Sequence, residues 1–141
     1  MDLEKEYENW NVECKQDPLK VLPNELLNLD FDIVALQETW LESGIQKFDN
    51  FTLFSSGLEC KKHEFGCDFY VSGEFFKYVK DVKIINERIC CLRLKAKWFS
   101  YPLINVHAPT NEKTEEIKEE FYNLLEQNIN QIARSDIKTI L

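Results

Sequence analysis

From Phe31 the chain runs Phe-Asp-Ile-Val-Ala-Leu and then turns polar at Gln37-Glu38. A continuous apolar run of strand length, without strict alternation, predicts a strand over 33–36 that is covered on both faces and meets solvent at Gln37. Upstream, Leu19, Leu22, Leu26 and Leu29 recur at three- and four-residue intervals, the stripe of a helix able to shelter one sheet face. Pro23 must start a turn there or kink the helix. Downstream the period shortens, and runs at 51–55, 67–72, 78–85, 89–95 and 101–107 alternate with turn residues, which predicts a meander of antiparallel strands.

After this meander the helical period returns. Thr114 is a fair N-cap, Glu115 and Glu116 occupy the first turn where the helix dipole favours acids, and Ile117, Phe121, Leu124, Leu125, Ile129 and Ile132 form the stripe. Ser135-Asp136 ends the pattern, and 137–141 begins a further strand. Within 89–95, Cys90, Leu92 and Leu94 alternate with Arg93 and Lys95, so one face is wetter and the adjacent Cys90 and Cys91 point to opposite faces. Neighbouring cysteines on opposite faces cannot act together on a soft metal. Arg88 reads as an ordinary cation flanking this strand, with contact to a phosphate as the alternative.

Length limits the chain to a single domain over 1–141. A compact chain of 141 residues buries roughly 68 to 70% of its unfolded surface, enough for a core. A net charge of -8 and a pI near 4.8 count against an isolated nucleic-acid binder, because phosphate affinity comes from Lys and Arg. Any such groove has to be locally basic or completed by other residues. The start, Met-Asp-Leu-Glu-Lys-Glu-Tyr-Glu, has no apolar signal region, and no run approaches a membrane span, so the reading is a soluble intracellular protein, nuclear or cytoplasmic, without membrane contact. Five cysteines without a Cys-x-x-Cys pair indicate neither a disulfide framework nor a zinc knuckle. The polar segment 57–64 reads as a surface loop, and its His63 has no assigned role.

Four segments, in order, carry chemistry. They are Trp10-Asn11-Val12, Asp32-Ile-Val-Ala-Leu-Gln-Glu-Thr39, the stretch 66–72 with Gly66-Cys67-Asp68-Phe69, and Ile104-Asn-Val-His-Ala-Pro-Thr110. Together they resemble the endonuclease/exonuclease/phosphatase superfamily that includes exonuclease III and DNase I, and are most similar to its craniofacial development protein 2-like and retrotransposon endonuclease branch. The resemblance covers almost the whole chain and departs from the family in three places. The acidic residues before Trp10 are unlike an apolar first strand, Asp68 stands where Gly is common, and His107 stands where many relatives have Tyr.

The resemblance implies an α/β (α+β) fold, a partial four-layer α-β-β-α sandwich of the DNase I type, interrupted after about half its length. It implies Mg2+ or Mn2+ as cofactor, held by Glu38 and Asn11; rigidly placed oxygen ligands suit such hard cations. It further implies DNA as partner, with His107 and Thr110 contacting the substrate phosphate and His107 also in a catalytic role. The family's Gly-Asp-Phe-Asn and Ser-Asp-His segments, which orient the attacking water and supply the base, are absent from these 141 residues. The expectation is therefore an N-terminal fragment inactive alone, in which one sheet lacks its mate, and its bare inner face and the terminal strand's edge invite self-association. Asp68 in a position that needs Gly would be strained; the functional alternative is that Asp68 is an extra metal ligand. Two alternatives stay open: a non-catalytic binding or scaffold module, and a phosphoesterase of the same superfamily acting on a phosphoinositide or another phosphoester.

Overall fold

The computed structural model describes residues 28, 30–37, 41, 43–57 and 66–141. Asn11, Glu38 and His63 lie outside the described residues, as does the helical stripe from Leu19 to Leu29.

The described chain is of the mixed α+β kind, with two four-stranded sheets and one helix. The first sheet has the order β1-β4-β3-β2, built from β1 (Ile33–Gln37), β2 (Gly44–Lys47), β3 (Phe51–Ser55) and β4 (Cys67–Ser72), all antiparallel. The second has the order β5-β6-β7-β8, built from β5 (Val79–Asn86), β6 (Ile89–Lys95), β7 (Ser100–Val106) and β8 (Thr139–Ile140). The helix α1 (Glu115–Asn130) carries the chain from β7 to β8, which pairs parallel to β7. A parallel return needs a crossover of this length, and the helix supplies it.

Side-chain alternation assigns each face. Cys67, Phe69 and Val71 of β4 and Phe54 of β3 meet Cys90 and Leu92 of β6 in one buried cluster, so the two sheets pack face to face. This overturns the expectation of a sheet without its mate: the strands predicted as one meander divide between two sheets that cover each other's inner faces. With those faces buried, the bare inner face is not found among the described residues, while the edge at the terminal strand β8 does leave Ile140 and Leu141 exposed. The residues between, Tyr70 of β4 with Phe51, Leu53 and Leu41, form a second cluster on the far side of the first sheet, where Tyr70 stacks on Phe51 at 4.9 Å. β4 is consequently buried on both faces. β1 is half-buried, with Ile33 and Ala35 toward the inter-sheet cluster and Val34 and Leu36 toward the other.

On the outer face of the second sheet, Ile89, Cys91 and Ile104 pack against Phe121 of α1. Cys90 and Cys91 do face opposite ways, one into each core. Thr114 caps α1, its Oγ1 accepting from the Ile117 N–H at 3.4 Å. The stripe is one residue shorter than its periodicity suggests: Phe121, Leu124, Leu125, Ile129 and Ile132 pack on the sheet, while Ile117 is exposed at the first turn. No described helix is long and apolar enough to cross a membrane.

The helix-sheet interface makes a quantitative expectation. Phe121→Ala empties a fully enclosed site and lowers unfolding free energy by about 3–5 kcal/mol in urea titration, whereas Ile117→Ala changes it by less than about 1 kcal/mol.

Candidate functional site

The chemistry-bearing residues gather at one pole of the sandwich, where β1 ends, β4 begins and β7 ends. At its centre is Asn105, a polar residue in the otherwise apolar 103–106 run, with no exposed surface. Its Nδ2 donates to the Leu36 carbonyl at 2.9 Å and to the Asp68 carbonyl at 2.9 Å, and its Oδ1 accepts from Gln37 Nε2 at 2.6 Å. One side chain of the second sheet thereby holds β1 and β4 of the first. A buried primary amide costs stability unless its donors and acceptor are matched, and here both donors and the acceptor have partners.

Asp68 lies fully buried in the regular ladder of β4, opposite Leu36 on one side and Ser55 on the other. Strand pairing is the extended conformation any residue adopts, so the expected strain at Asp68 is not found. The need for glycine falls two residues earlier, at Gly66, whose φ of 127° a side chain would oppose. Ser55 Oγ donates to Asp68 Oδ2 at 3.1 Å, and Ser56 Oγ accepts from the Cys67 N–H at 2.9 Å.

Arg88 and His107 form the second-sheet side of the pole. The His107 N–H donates to the Arg88 carbonyl at 2.8 Å, and Arg88 Nη1 donates to the His107 carbonyl at 3.0 Å. Arg88 is buried, and its N–H is itself held by Asn86 Oδ1 at 2.9 Å. The strand-flanking cation of the sequence reading is thus an internal brace that fixes the backbone of His107. His107 itself is half-buried; Thr110 is exposed, its carbonyl accepting from the Lys113 N–H in the turn before α1. The brace reaches the first sheet as well, because the Gly66 N–H donates to the Glu87 carbonyl at 3.2 Å and the Cys67 thiol to the Arg88 carbonyl at 3.1 Å.

Burial, reinforced by the nearby Asp68 charge and opposed by Arg88, pushes the Cys67 thiol up from the ordinary range to about 12. Burial also raises Cys90, with contributions from Cys67 and Asp68, and its thiol donates to the Cys67 carbonyl at 3.2 Å. Both are packing residues held protonated, not nucleophiles.

As donors to a cation, the described residues fall short by themselves. They contain no group of three or more His, Cys, Asp or Glu side chains arranged to hold a metal ion. Asp68 is the buried carboxylate at this pole, engaged by Ser55, and Glu87 lies near enough for its charge to act on Cys67. The ligands that the resemblance implies, Glu38 and Asn11, are outside the described residues, although Glu38 directly follows the clamped Gln37 in the chain. Sequence reasoning placed Asn105 inside a motif without giving it a role. The available signal was a lone amide among Leu103, Ile104 and Val106.

No protein-family model matches the chain, and no curated protein matches it.

Three outcomes follow for this pole. Asn105→Asp replaces a double donor with an acceptor facing two carbonyls, and lowers unfolding free energy by about 3 kcal/mol or more in denaturant titration. For Cys67 the folded thiol binds its proton more tightly than the unfolded one, whose value is near 9.0. Its contribution to stability is complete below about pH 9 and is lost as pH rises toward 12, so Cys67→Ala flattens the fall of stability above pH 9. In the native protein at pH 8, iodoacetamide leaves Cys67 and Cys90 unmodified by mass spectrometry.

Proposed function

We propose that this chain carries the N-terminal part of a Mg2+-dependent phosphodiesterase that cleaves nucleic acid, in a four-layer α-β-β-α sandwich of the DNase I type, akin to the retrotransposon-type endonucleases. One observation supports the reading above the rest. Three of the four motif segments lie wholly or largely within the described residues, and the Asn105 hydrogen bonds and the Arg88–His107 brace bring Leu36 and Gln37 of the first, Asp68 of the second and Asn105 and His107 of the third to a single pole. Motif residues scattered by chance would have no reason to converge across two sheets.

In this reading Glu38 and Asn11 hold the cation, which would polarise the phosphoryl oxygens and offset their charge. His107, fixed through its backbone by Arg88, presents its imidazole to the substrate phosphate, and Thr110 offers a hydroxyl from the exposed turn. An oriented water and its proton acceptor are also required. The segments that supply them in the resembling family do not occur among these 141 residues, so the chain expressed alone is proposed to be catalytically silent. A non-catalytic binding module is the second reading, favoured by the net charge of -8 and by the aspartate at position 68.

Calorimetric titration of Mg2+ or Mn2+ separates the two. The phosphodiesterase reading expects saturable heat that Glu38→Ala removes, and the binding-module reading expects none. The purified 141-residue chain should leave supercoiled plasmid intact in Mg2+; nicking that disappears in Glu38→Ala would contradict its proposed silence.

A further inference from the structure

The outer face of the second sheet is only half covered by α1. Toward the 96–99 turn, β5, β6 and the start of β7 present an open trough lined by Lys80, Arg93, Lys95, Trp98 and Ser100. It adjoins a cavity of about 280 Å³ between the sheet and the C-terminal end of α1, with Lys83 and Cys91 in its lining and Arg93 and Asp136 shared by both. In a chain of net charge -8, this face gathers four cations, Lys80, Lys83, Arg93 and Lys95, with Lys97 over the Trp98 ring in the adjoining turn, against the carboxylates Asp81 and Asp136; Lys80 Nζ donates to Ser100 Oγ at 3.0 Å.

Some of this charge serves the fold. Arg93 pairs with Asp81, and Lys83 Nζ donates to Asn128 Oδ1 at 3.3 Å and Gln131 Oε1 at 3.4 Å near the carbonyl end of the helix. Lys95 makes no ion pair or side-chain hydrogen bond among the described residues. Trp98 is the least explained residue by packing, since 82% of its surface is exposed and Lys97 Nζ lies 5.1 Å from its ring centre. An indole left in water at a turn tip contributes little to a core, and a lysine above it does not hide it.

We propose that this trough binds a single-stranded nucleic acid, with phosphates on Lys80, Lys95 and Lys97 and one base stacked on Trp98. Cations along a groove with an exposed aromatic platform are the two components of single-strand binding, whereas a duplex would offer the indole no free base face. The trough is separate from the motif-bearing pole. β6 runs from the Arg88 turn to Lys95 and β7 returns, which puts the 96–99 turn about 20 Å from His107. The proposal stands whether or not that pole holds a cation.

Fluorescence anisotropy of a labelled oligothymidylate of about 12 nucleotides, in EDTA at about 0.05 M salt, tests it with the full chain. The expected result is saturable binding that weakens as salt is raised. Lys95→Glu/Lys97→Glu weakens it about tenfold or more, and Trp98→Ala weakens it about fivefold while abolishing the preference over an abasic strand of equal length. All three sites are exposed, and far-ultraviolet circular dichroism identical to the parent chain verifies that the variants are folded. Absence of binding, binding unchanged in both variants, or binding only to phosphatidylserine vesicles overturns the proposal. Because EDTA removes any bound cation, failure here leaves the Mg2+ reading of the other pole intact.

Discussion

Hydrogen bonds between the two sheets, led by the three of the buried Asn105 amide and joined by those of Gly66 and Cys67 to the Glu87–Arg88 backbone, set the geometry on which this molecule depends. Burial of apolar side chains is non-directional and does not by itself single out one offset between two sheets. The three hydrogen bonds of Asn105 are directional, and they register β7 of one sheet against β1 and β4 of the other. The apolar cluster of Phe54, Phe69, Val71 and Leu92 supplies the cohesion, and Asn105 fixes where that cohesion is reached. Any other offset would leave the Asn105 amide itself buried without partners, at a cost of about 1–3 kcal/mol for each unmatched group, a sizeable part of a domain's net stability.

The consequence is a sandwich with two unlike ends. At one, the clamp and the Arg88–His107 brace concentrate buried polar groups and hold the backbone just before Glu38 and at His107. At the other, α1 has ended, the sheet face is wet, and cations surround an exposed indole. An acidic chain can therefore still present a locally basic surface, because net charge describes the whole molecule and recognition depends on its distribution.

Much of the fold was legible in the sequence because period and capping are local properties. The strands at 51–55, 67–72 and 89–95 stand where the apolar runs put them, and Thr114 caps the helix it was expected to cap. Partition between sheets is not local. β4 and β5 are consecutive and both read as strands, yet one belongs to each sheet, joined by the short helical turn Phe76–Tyr78 that reverses the chain between layers. β2 carries only Ile45 as a large apolar residue and is exposed there, so no period announced it. At the site, His107 was singled out by its motif, but the residues that position it were not. Arg88 looked like a surface cation, and Asn105 like a motif letter, because the burial of a polar side chain is set by elements distant in sequence, here 69 residues from Asn105 to Leu36.

The most direct test of the account is where a paramagnetic cation sits. Mn2+ titrated into the 15N-labelled chain should broaden the amide resonances of Gln37 and His107 and the side-chain amide of Asn105 first, at substoichiometric metal, and leave those of 96–99 sharp. Uniform broadening, or broadening that begins anywhere other than the Asn105 pole, would contradict the placement of a cation site there and with it the phosphodiesterase reading.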